Sequence, residues 1–101
     1  MATPEGKVKA KIKALFKEHG VWFYMPVSRG FGMHGVPDFL CCVDGKFFAV
    51  EAKAGNAKPT GLQTMQMEAA QRAGARVFIT NEANFHELEG WLKHIDGMEL
   101  R

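Results

Sequence analysis

The sequence predicts an α/β (α+β mixed) fold: one mixed sheet covered by helices, in the order α-β-β-β-α-β-α. Three observations carry this. Apolar residues recur at helical spacing near both ends and after residue 60. Between those stretches lie short runs rich in Val, Phe, Leu, Ile and Cys. Asp44-Gly45, the dipeptide most favoured in two-residue hairpin turns, separates two of these runs. A chain of 101 residues, 47% hydrophobic and 24% charged, has room for a single domain (1–101) with one modest core.

Thr3-Pro4 reads as N-cap and first position of a helix whose apolar stripe is Val8, Ile12, Leu15 and Phe16 and which Gly20 closes. Glu5 falls on that stripe rather than among the lysines. Two readings of it stay open: a carboxylate favoured by the helix dipole, or one aimed at a site. Val21–Ser28 reads as a strand, with Pro26 marking an edge position or a bulge. The loop Arg29–Gly35 has three glycines but lacks the Gly-Lys-Ser/Thr ending and following helix of a phosphate-binding P-loop. Arg29 and His34 either meet phosphates there or are incidental charges on a connector.

A hairpin follows, Val36–Val43 and Lys46–Ala54, then the loop Gly55–Pro59. Thr60 with Gln63 three residues on makes a capping box for a helix reaching about Ala73, ended by Gly74. Arg76–Thr80 reads as a short buried strand. Asn84 with Glu87 repeats the capping pattern ahead of a last helix, with Leu88, Trp91, Leu92 and Ile95 as its stripe and a fraying tail.

Composition excludes several classes. No apolar stretch approaches the roughly 20 residues of a membrane span, and Met1–Gly6 has no signal-peptide character, so a cytoplasmic protein without membrane attachment is expected. Cys41 and Cys42 are adjacent, point to opposite faces of a strand and have no zinc spacing, so they read as small buried hydrophobes. The net charge of +2 is too mild to prove a nucleic-acid partner. Lys7, Lys9, Lys11, Lys13 and Lys17 nonetheless crowd the first helix, as a solvated face or as a phosphate-binding one. The four histidines show no metal-site spacing, and Ser28 stands in no nucleophile elbow.

The chemistry gathers at the hairpin. If the Asp44-Gly45 turn is tight, Val43 pairs with Lys46, and counting back along both strands sets Asp38 opposite Glu51. Lys53 then shares their face. Like charges directly opposed on a sheet repel. A divalent cation between two hard carboxylates, with an ammonium in reach of the same point, explains the arrangement and suits phosphodiester hydrolysis. The competing reading is a surface ion-pair cluster.

Pro37-Asp38 followed by Glu51-Ala52-Lys53 resembles the PD-(D/E)XK nuclease motif, and the chain looks like a stand-alone VRR-NUC (virus-type replication-repair nuclease) domain of the small phage type. The resemblance runs from Glu5 through Gly35-Val36-Pro37-Asp38 and Glu51-Ala52-Lys53 to Gln63, nearly the whole chain. It implies a restriction-endonuclease-like core and a Mg²⁺- or Mn²⁺-dependent endodeoxyribonuclease. In it Asp38, Glu51 and the Ala52 carbonyl hold the metal, and Lys53 activates water or stabilises the transition state. Glu5 would act through a metal-bound water or as a further ligand, and Gln63, or Gln66 one turn on, would orient Lys53 or the phosphate. The resemblance also implies a homodimer acting on branched DNA, with Lys9, Lys13, Arg29, His34 and Lys58 holding backbone phosphates. The alternatives are a non-catalytic module that binds DNA junctions and, more remotely, a small-molecule phosphohydrolase.

Overall fold

A computed structural model describes residues 2–27 and 33–99 of the chain. The elements come in the expected order: α1 (Pro4–His19), β1 (Trp22–Tyr24), β2 (Phe39–Val43), β3 (Lys46–Ala52), α2 (Gly61–Arg72), β4 (Arg76–Thr80) and α3 (Phe85–Glu99). The sheet order is β1-β2-β3-β4. Antiparallel pairing joins β1, β2 and β3, while β4 runs parallel to β3, so the sheet is mixed.

Local signals account for most boundaries. The Thr3 hydroxyl accepts from the Gly6 amide at 3.0 Å, and Gly20 ends α1 at φ 67°. Asp44 (φ 51°) and Gly45 (φ 75°) form the two-residue turn with both residues left-handed, as a type I′ hairpin requires. Val43 accordingly pairs with Lys46, and Phe39 with Val50. The capping box at α2 is complete: the Gln63 amide donates to Thr60 Oγ1 at 3.2 Å, and Gln63 Oε1 accepts from the Thr60 amide at 2.9 Å.

Several boundaries differ from the sequence reading. The first strand is three residues, Trp22–Tyr24, because Pro26 has no N–H to continue the ladder; Ser28 lies outside the described residues. Likewise β2 starts at Phe39 rather than Val36, since Pro37 cannot donate and Gly35 turns the chain at φ 79°. The third strand stops at Ala52, which pairs with the last residue of β4, Thr80. Asn84 does not cap α3 as expected. Its side-chain oxygen accepts from the Asn81 amide at 2.8 Å, while Asn81 Oδ1 accepts from the Ala83 and Asn84 amides, so the side chains are spent on an Asx turn. The last helix continues to Glu99 where a frayed tail was expected.

The core lies on one face of the sheet. Phe39 and Cys41 of β2, Phe48 and Val50 of β3 and Phe78 of β4 pack under Val8, Ile12, Leu15 and Phe16 of α1 and Leu88, Leu92 and Ile95 of α3. Aromatic rings run through it, Phe23–Phe16–Phe48–Trp91, with centroids 4.9–5.8 Å apart in tilted or edge contacts. Cys41 is buried, and the loss of solvation pushes its thiol up to about 12, as expected of an inert small hydrophobe. Register places Trp22, Tyr24, Leu40, Cys42, Phe47, Ala49 and Glu51 on the opposite face. There α2 packs against β4, while Trp22 (66% exposed), Tyr24 (54%) and Phe47 (51%) stand uncovered. No helix among the described residues is long and apolar enough to cross a membrane.

Candidate active site

Just beyond the last ladder pair of β2 and β3, side chains take over the hydrogen bonding from the backbone. The Asp38 amide donates to Glu51 Oε1 at 3.2 Å, and the Ala52 amide donates to Asp38 Oδ2 at 2.8 Å. Each carboxylate is thus anchored by the opposite strand through one oxygen. Each keeps a second oxygen turned to an ammonium. Glu51 Oε2 lies 3.3 Å from Lys53 Nζ, and Asp38 Oδ1 lies 3.5 Å from Lys9 Nζ. The tight turn therefore brings Asp38, Glu51 and Lys53 together as the sequence indicated. Glu51 is only 2% exposed, which rules out an ordinary solvated ion-pair cluster for this residue.

Lys9 was expected on the outward lysine face. It sits instead among the carboxylates, its Nζ also 3.4 Å from Glu5 Oε2. Burial works to lower its pKa, but Asp38 and Glu5 outweigh that and hold the ammonium above its ordinary value. Glu5 thus reaches the cluster through Lys9, on the flank of the apolar stripe. The i, i+4 spacing of Glu5 and Lys9 was the sequence signal for this pairing.

Gln63 begins α2 beside the same centre. With Gly35, Val36, Pro37 and Asp38 it lines a cleft of about 240 Å³. Its oxygen accepts from the Thr60 amide in the capping box, and its amide nitrogen is the donor it could offer a phosphate. Gln66 is half-buried one turn on. Gly35 has a steric role that the motif alone does not explain: a Cβ there would lie 2.6 Å from the Leu62 carbonyl oxygen. Lys13, His34 and Lys58 are exposed, and Arg29 lies outside the described residues.

Among the described residues no three Asp, Glu, His or Cys side chains converge on one point. Asp38 and Glu51, each with one oxygen fixed by a backbone amide of the opposite strand, suit an ion that takes one or two carboxylates and completes its shell with water and phosphate oxygens, as Mg²⁺ does. In this respect the residues fit a divalent metal.

Burial first, and then the facing charge of Asp38, raise the Glu51 pKa above the ordinary glutamate value; Lys53 and the Asp38 amide oppose this without cancelling it. The folded chain consequently keeps this proton at pH values where the unfolded chain has lost it. Its contribution to stability is full below the unfolded pKa and is lost as pH rises through the raised folded value. In melts with EDTA at stepped pH, wild type is expected to fall in Tm relative to Glu51→Gln as pH climbs above the ordinary glutamate range. Parallel curves would contradict the raised value.

No family model matches the sequence, and no curated protein matches it. A solved structure described as a VRR-NUC domain is similar along its length, with a TM-score of 0.73 and 28% identity, covering 92% of this chain and 98% of that one. With the Asp38 and Glu51-Ala52-Lys53 motifs meeting at the end of the same hairpin, the chain shares the nuclease-type fold of that VRR-NUC domain and is similar to it over nearly its whole length.

Proposed function

We propose that the protein is a Mg²⁺- or Mn²⁺-dependent DNA endonuclease that hydrolyses phosphodiester bonds, selects branched duplexes and works as a homodimer. The observation that carries the chemistry is the mutual anchoring of Asp38 and Glu51, each with one oxygen held by a backbone amide and the other facing an ammonium, beside the 11%-exposed side chain of Lys53. Asp38 Oδ1, Glu51 Oε2 and the Ala52 carbonyl would hold the ion, which when bound supplies Lewis-acid stabilisation of phosphate charge and acidifies water. The strand amides hold both carboxylates in place ahead of binding, each through its other oxygen. Lys53, held by Glu51, orients the attacking water or neutralises charge building on the phosphorane. The cleft walled by Gly35–Asp38 and Gln63 admits the phosphate. Exposed Lys13, His34 and Lys58, with Arg29, would hold flanking phosphates, which makes binding salt-dependent and largely sequence-blind.

The uncovered sheet face with Trp22, Tyr24 and Phe47 supports a second copy as its occupant. Contiguous exposed apolar surface of this kind marks interfaces more often than free surface, and an isologous pair supplies the two active sites that symmetric cleavage needs. Sedimentation is expected to give a dimer for wild type and a monomer for Phe47→Glu. A wild-type monomer at assay concentration would remove the dimer from the reading.

Incubation with end-labelled linear, flapped and four-way DNA in Mg²⁺, Mn²⁺ or EDTA tests the function. Cuts that need metal and favour branched substrates are expected. Metal-independent mobility shifts without cuts would identify a junction-binding module instead.

A further inference from the structure

Lys9 Nζ bridges two carboxylates from different elements, Glu5 of α1 at 3.4 Å and Asp38 ahead of β2 at 3.5 Å. In two-metal phosphodiesterases a second divalent cation occupies a place of this kind, about 3.5–4 Å from the first ion and close to the same carboxylates. We propose that Lys9 takes the place of that second cation, so that the centre binds a single divalent ion and the helix supplies the other positive charge. The inference rests on the metal-dependent reading above and deepens it.

Two further observations support it. The lysine is set in place by its helix: Val8 on one side and Ile12 on the other are 3% and 0% exposed, which fixes the flank from which Lys9 extends. Charge balance points the same way. Glu5, Asp38 and Glu51 against Lys9 and Lys53 leave the cluster with one net negative charge. A single divalent ion makes it singly positive, matching the single negative charge of a phosphodiester. A second ion would raise the net charge to three positive and set two divalent ions beside the Lys9 ammonium across shared carboxylates.

Counting bound Mn²⁺ tests this without reference to activity. The electron paramagnetic resonance signal of free Mn²⁺, followed during titration of DNA-free protein, gives ions bound per chain. Wild type and Lys9→Arg are expected to bind one; Lys9→Met, whose neutral side chain leaves Glu5 and Asp38 unbridged, is expected to bind two. Circular dichroism checks that Lys9→Met is folded, and Lys9→Gln serves if it is not. Two ions in wild type, or one in every variant, would overturn the role of Lys9 and leave the metal site standing. No bound Mn²⁺ in wild type would overturn the metal reading and this inference with it.

Discussion

Glu51→Gln, Asp38→Asn and Lys53→Met are each expected to lower the DNA cleavage rate by about 10²–10⁴-fold, the usual cost of losing one positioned charge or proton-transfer group. The hydrogen bonding makes the amide substitutions unusually clean. An Asn at 38 still offers an oxygen to the Ala52 amide, and a Gln at 51 still offers one to the Asp38 amide, so the anchors survive. What disappears is the carboxylate charge that faces Lys9 or Lys53 through the second oxygen. Folding should therefore persist. DNA affinity should hold or rise, because negative charge has left a surface that meets phosphates. Single-turnover cleavage with a labelled branched duplex, beside a binding isotherm for each variant, makes the measurement. A wild-type rate in any of the three would remove that residue from the mechanism.

How far this centre was legible follows from which signals are local. The Asp44-Gly45 turn is a two-residue choice that sets every downstream pair, so the facing of Asp38 and Glu51 could be counted from the sequence. The capping box at Thr60 and Gln63 was legible for the same reason, since its donors and acceptors lie within one turn. Asn84 failed as a cap because Asn81, three residues earlier, competes for the same short-range bonds, and propensity does not say which partner wins. Lys9 was misplaced because five lysines in one helix look alike. Which of them turns inward depends on the angle at which α1 crosses the sheet, and the core packing of Val8 and Ile12 decides that. The strand ends were overrun at Val36 and Val27 because β-propensity continues through prolines that cannot donate to a ladder.

Gly35→Ala is expected to lower stability by about 2–4 kcal/mol, or Tm by roughly 10–25 °C for a domain of this size. Two costs add. Residue 35 sits at φ 79°, where an L side chain is strained, and its new Cβ would lie 2.6 Å from the Leu62 carbonyl oxygen, 2.7 Å from its carbon and 3.0 Å from the Gln63 nitrogen. All three are backbone atoms in the first turn of α2, which Thr60 and Gln63 hold closed, so they have little room to yield. Gly20→Ala provides the control. It carries a similar φ of 67° with nothing within 4 Å, so it should show the conformational cost alone, about 1 kcal/mol. Relief by movement of the Gly35–Asp38 segment would spare some stability at the expense of the centre, because Asp38 follows only three residues later and its carboxylate must meet the Ala52 amide at 2.8 Å. Melting temperature and cleavage rate should thus fall together in Gly35→Ala, whereas Gly20→Ala should melt slightly lower and cut normally below its melting point. A Gly35→Ala protein that matches Gly20→Ala in both would show that the close approach of the loop to α2 is not what holds Asp38 in place.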